Sequence, residues 1–167
     1  YRRYKNNGLL GFGENSFMKP DNSTNHNPQE GQAGPLPAAG YAGDISPHLA
    51  WQWVQDGQSV LVDVRTDAER EWVGFVPGAL ALAWKQWPGM ALNPGFDAGL
   101  TAGVPAGHKV LMLCRSGVRS IAAAQRATEL GLQAYNVLEG FEGDPDTQGH
   151  RNQLAGWRQR GLPWRQN

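Results

Sequence analysis

Two apolar runs limit what this chain can fold into more than any other feature of it. "SVLVDVR" (59–65) and "KVLMLC" (109–114) are largely unbroken and rich in β-branched or bulky residues, the pattern of strands covered on both faces. Each leads at once into a helix signal. After the first, Thr66 and Glu69 have the spacing of a capping box. After the second, "IAAAQRATELG" predicts a helix with Gly131 at its stop, and "QAYNVLEG" then predicts a third strand ending in a turn. Strand, helix and strand in this order imply parallel pairing with right-handed crossovers, and so an α/β domain.

The rest of the chain is punctuated in the same way. In "DISPHLAWQWVQDG", Ser46 is a good N-cap, Pro47 fits the first helical position and Gly57 is a stop. "VPGALALAW" predicts a turn into a short strand. "KQWPGMALNPGFDAGLTAGVPAG" reads as Gly/Pro-rich surface with one helical turn near Asp97. "GHRNQLAGWRQRGLPW" predicts a helix broken by Gly161 and Pro163, with Arg151, Arg158 and Arg160 on its solvated face. Residues 1–40, dense in Asn, Pro, Gly and Gln, are expected to be a disordered tail. Within it, residues 1–17 are expected to be foreign to the natural product, Met18 being a candidate start. Residues 41–167 are then a single domain.

Charge narrows the partners. Lys plus Arg and Asp plus Glu number 15 each, so the whole-chain field gives no reason to expect nucleic acid or an anionic membrane. No apolar run reaches the length of a membrane span, and the start lacks the apolar part of a signal peptide. A single cysteine cannot form an internal disulfide, so a reducing compartment is expected, hence the cytoplasm.

That cysteine stands where chemistry is expected. Open α/β sheets bind ligands beyond the carboxyl ends of their strands, and Cys114 lies there, between its strand and a helix beginning near Ser120. Alanines 122, 123 and 124 let that helix approach the sheet and fix the loop between. A helix N-terminus offers free N–H donors and partial positive charge, to which Arg115 and Arg119 add. Gly117 lets successive amides turn inward as an anion-binding nest. A thiol so placed is expected as the nucleophilic thiolate. A cysteine closing an apolar strand is more often an inert small hydrophobe, but two arginines beside an inert thiol would have no purpose.

The heptapeptide "CRSGVRS" (114–120) closely resembles the active-site loop of the rhodanese family. "VDVRTDAEREWVGFVPGALAL" is similar to a second rhodanese pattern, although Phe75 and Val76 stand where the family usually has His before Pro-Gly-Ala. The resemblance spans about residues 44–164. It implies a rhodanese-like fold, a sheet of about five parallel strands with helices on both faces, and a thiosulfate:cyanide type sulfurtransferase that works without a cofactor. Cys114 would take the sulfane sulfur of a small anionic donor as a persulfide and pass it to cyanide or a thiol. Arg115, Ser116, Gly117, Val118, Arg119 and Ser120 would form the binding loop, with Arg115 and Arg119 attracting the donor. Asp63 and Arg65 would brace the loop through hydrogen bonds, or form an ordinary strand-end ion pair.

Two alternatives share the fold. Phosphatases and arsenate reductases of this type place Arg after five intervening residues, whereas four separate Cys114 from Arg119 and the phosphatase position is Ser120. Non-catalytic rhodanese-like binding modules commonly lack the cysteine. His26, His48, His108 and His150 show no metal-ligand spacing, so no metal is expected. Among seven tryptophans, Trp84 and Trp87 are candidates for a pocket rim.

Overall fold

The computed structural model describes residues 34–167. In chain order the elements are β1 (Gly43–Ile45), α1 (Pro47–Gln55), β2 (Ser59–Asp63), α2 (Asp67–Val73), β3 (Leu80–Ala81), β4 (Lys85–Gln86) and β5 (Ala91–Leu92). There follow α3 (Phe96–Gly103), β6 (Lys109–Leu113), α4 (Arg119–Glu129) and β7 (Ala134–Val137). Five strands make one parallel sheet in the order β1-β7-β6-β2-β3, and β4 and β5 form a small antiparallel hairpin outside it. The α/β architecture expected of the sequence is the one observed.

Strand periodicity divides the interior in two. Along β6, Leu111 and Leu113 join a cluster with Leu49 and Ala50 of α1, Tyr135, Phe141 and Trp157 on one face. Val110, Met112 and then Cys114 join a second cluster on the other, with Phe96 and Leu100 of α3 and Ala123, Ala124 and Ala127 of α4. Successive side chains point to opposite faces, and both faces are apolar, so the strands read as continuous apolar runs. The caps are those expected. Ser46 Oγ accepts from Leu49 N–H, and Thr66 and Glu69 form the reciprocal capping box that opens α2.

Two expectations are corrected. The Gly/Pro-rich segment after residue 84 carries the β4–β5 hairpin and a two-turn helix, α3, with Phe96 and Leu100 buried. Its glycines are there for close packing: a Cβ at Gly99 would lie 2.6 Å from Leu82 Cδ1, and one at Gly103 2.5 Å from Leu80 Cδ2. No helix forms over 149–164. Instead the chain leaves Gly143 and returns at Gly156, where the two backbones touch so closely that a Cβ at Gly143 would lie 2.3 Å from Ala155 O. Arg151, Arg158 and Arg160 therefore have separate jobs: Arg151 donates to Gly143 O, Arg158 stacks on Trp164 with 4.0 Å to the ring centre, and Arg160 pairs with Glu139.

From residue 34 the expected tail has described structure, with Leu36 and Asp44 exchanging backbone hydrogen bonds of 2.8 and 2.9 Å along the outer edge of β1. Residues 1–33, with the expected start at Met18, lie outside the described residues.

Candidate active site around Cys114

Cys114 follows the last residue of β6 and begins the loop into α4. The buried alanines on one side of α4 fix the distance from sheet to helix, and with it the loop's span. Gly117, at φ +92°, turns its N–H onto Cys114 Sγ at 3.1 Å. Ser120 Oγ lies 3.2 Å from the same sulfur. The loop is supported from behind by the turn after β7. Phe141 N–H donates to Cys114 O at 2.8 Å and Glu142 N–H to Arg115 O at 2.9 Å. Gly140, at φ +64°, closes that contact: a Cβ there would lie 2.5 Å from Arg115 C and Ser116 N.

The two arginines divide. Arg119 is paired with Glu69 through two hydrogen bonds of 2.8 and 2.6 Å, both side chains about four-fifths buried. Burial would raise the Glu69 carboxyl, but the hydrogen bonds from Arg119 and Thr66 and the guanidinium charge override it and hold the group at about 2. The hydrogen bonds to Glu69 likewise raise Arg119 against its own burial. Arg119 thus ties the loop to α2, and Arg115 is the exposed cation beside the sulfur.

Asp63 and Arg65 are both buried and bond each other, Nε to Oδ1 at 2.9 Å and Nη2 to Oδ2 at 2.6 Å, while Arg65 also donates to Gly74 O at 2.8 Å. These side-chain bonds run to each other and to Gly74 rather than to residues 114–120. Arg65 still bears on the loop at one remove, for its guanidinium lies 3.9 Å over the ring of Phe141, whose N–H holds Cys114 O.

The sulfur sits at the base of a cleft of about 610 Å³, whose walls include Ala68, Val73, Trp87, Met90 and Val118 besides the loop. That volume is in the range of small-molecule pockets. Of the two rim candidates, Trp87 lines it, while Trp84 packs edge-on against Phe96 at 4.8 Å. The structure therefore brings Cys114, Arg115, Ser116, Val118 and Arg119 to one cleft and stacks Gly117 and Ser120 behind the sulfur.

Two residues at the site are not singled out by the sequence. The local spacing gives Glu69 only a capping role, which it does fill, and its second partner 50 positions away is invisible locally. Asn136 accepts from Ser120 Oγ at 2.6 Å. It is the lone polar residue of β7, a fully buried strand, and that isolation was the available signal.

A parallel sheet with a cysteine loop at a strand end, cradled by a helix N-terminus and a glycine turn, is the arrangement the rhodanese resemblance implies. The chain belongs to that family: the rhodanese-like domain matches residues 46–144. A crystal structure of Rv0390 from M. tuberculosis is 46% identical with a TM-score of 0.70, over 76% of this chain and 99% of that one. An uncharacterised protein of Rickettsia conorii is 35% identical over 120 residues, covering 66% of this chain and 86% of its own. A protein of Actinobacillus succinogenes named thiosulfate sulfurtransferase GlpE is 31% identical over 121 residues, 72% of this chain and 87% of its own.

Proposed function

We propose that the protein is a sulfurtransferase in which Cys114 carries the sulfur as a persulfide. The observation that carries the reading is the sulfur itself, the chain's one thiol, at the base of a cleft with the Gly117 N–H turned onto it. Cys114 as thiolate attacks the outer sulfur of thiosulfate or a similar small anionic donor. The new S–S bond forms as the donor's own S–S bond breaks, and sulfite leaves with the electron pair. Cyanide or a thiolate acceptor then attacks the outer sulfur and returns Cys114 to the thiolate. Arg115 at the cleft mouth meets the donor's charge, and Arg119 holds the loop in shape through Glu69. The likeness to a named thiosulfate sulfurtransferase supports the same reaction, and a single cysteine suits the reducing cytoplasm.

The spacing between Cys114 and Arg119 favours sulfur over phosphate, since four intervening residues make a smaller cradle than a phosphoryl group with three oxygens requires. The test incubates the protein with thiosulfate and, separately, with an aryl phosphate, and reads both the mass of the Cys114 peptide and product release. One added sulfur on Cys114 and no phosphate ester hydrolysis is the expected result. Cys114-dependent hydrolysis faster than thiosulfate turnover would overturn it.

A further inference from the structure

If Cys114 is a thiolate, the hydrogen bonds behind it cannot all be made at once, because Asn136 and the sulfur then compete for one proton. Ser120 Oγ, wholly buried in the first turn of α4, lies 2.6 Å from Asn136 Oδ1 and 3.2 Å from Cys114 Sγ. A serine hydroxyl has one proton to donate. Which neighbour receives it is settled further along the chain of contacts. Asn136 Nδ2 donates to Asp44 Oδ1 at 2.8 Å, and Tyr41 O–H donates to the same oxygen at 2.8 Å. Asp44 stands beside Asn136 in the register of β1 and β7, and an ionised carboxylate only accepts. The amide must therefore turn its NH₂ toward Asp44 and its oxygen toward Ser120. The Tyr41 hydroxyl keeps its proton: burial, then the hydrogen bond to Asp44 and that group's charge, push it up to about 12.

With its proton on Asn136, Ser120 shows the sulfur only a lone pair. A lone pair suits an S–H donor and opposes a thiolate. We propose that Asn136, oriented by Asp44, is a positioning residue that sets the direction of the Ser120 proton and so restrains ionisation of Cys114. When the sulfur gives up its proton to solvent, the Ser120 hydroxyl must swing from Asn136 to Sγ, and Asn136 Oδ1 is left without a donor in a buried site, which is unfavourable. The Gly117 N–H is the sulfur's fixed donor in either state. The charged groups that face this corner are Arg115 on the loop, Arg119 with Glu69 from α2, the Asp63–Arg65 pair at the end of β2, and Asp44 itself. The inference rests on Cys114 being the reactive thiol.

The test follows the rate of Cys114 alkylation by iodoacetamide against pH in the full chain, for the wild type, Asn136→Ala, Asp44→Asn and the double variant. Asn136→Ala frees the Ser120 proton for the sulfur, so the rise of the profile should move about one pH unit lower, the size of one hydrogen bond to an anion. Asp44→Asn removes the ionic hold on the amide and should move it less, in the same direction. In the double variant Asp44→Asn should add nothing to Asn136→Ala, because its effect passes through the amide. An unchanged profile in Asn136→Ala overturns the proposal. So does an Asp44→Asn shift that is equal with and without Asn136, which would be plain loss of a nearby charge. Should Asn136→Ala fail to fold, the wild type answers alone: the Asn136 side-chain amide resonances should move with pH at the midpoint of alkylation, and resonances that stay still overturn the proposal. No sulfur donor enters these measurements, so failure of sulfur transfer and failure of the proton relay are told apart.

Discussion

Cys114 is both a core side chain and the proposed nucleophile, and substitutions separate the two roles. Cys114→Ser fits the space but supplies a hydroxyl that does not ionise near neutral pH. Its expected phenotype is total loss of the added sulfur seen by mass after thiosulfate treatment, with cooperative unfolding retained in circular dichroism. Asp63 and Arg65 make the opposite kind of pair, near the site yet bonded mainly to each other. Arg65→Met leaves a buried carboxylate uncompensated and should cost about 3–5 kcal/mol in denaturant unfolding, whereas adding Asp63→Leu should restore part of that loss. A double variant no more stable than Arg65→Met would show that the pair is not the source of the penalty. The cysteine and its loop stand out in the sequence, which leaves Asp63 and Arg65 open between a loop brace and an ion pair, because Gly74 and Phe141 come to them from other parts of the chain.

Between elements, the site depends on two contacts that join segments distant in sequence. Glu69 titrates low in the folded protein, about 2 against an ordinary 4.5. A lowered carboxyl contributes stability that is complete above about pH 4.5 and is lost as pH falls toward 2. Glu69→Gln should therefore flatten the acid limb of the stability profile over that window and lower stability at pH 7 by about 1–2 kcal/mol. An acid limb as steep as the wild type's would assign the transition to other carboxylates. Gly140→Ala places a methyl group on the backbone of Arg115 and Ser116 at a positive φ, where the neighbour cannot yield as a flexible side chain would. Thiosulfate turnover should fall at least tenfold, by displacement of the loop that Gly140 supports; wild-type turnover would show the contact to be slack. Capping and periodicity made α1, α2, α4 and the long strands readable beforehand. α3 was not, since Gly99 and Gly103 look like turn residues until Leu80 and Leu82 are seen against them. The false helix after residue 149 failed for a related reason: Asn152 and glycines 149, 156 and 161 adopt positive φ, which helical spacing of Leu, Trp and Arg does not disclose.

At the scale of the molecule, the excursion from Gly143 to Gly156 stands apart from the two-faced core. Its ends already touch, and loops closed in this way can be removed at small entropic cost. Excising residues 144–155 and rejoining the ends through one glycine should leave the unfolding midpoint within a few degrees and the alkylation of Cys114 unchanged. Loss of cooperative unfolding would mean that the excursion holds the C-terminal segment in place. The open sheet also has two borders, one already occupied and the other very short. On β1 the N–H and C=O of Asp44 are taken by Leu36, and β3 offers two residues. Among the described residues, a strand from a neighbouring molecule would find the β1 edge occupied and only a two-residue ladder at β3, which disfavours edge-to-edge aggregation.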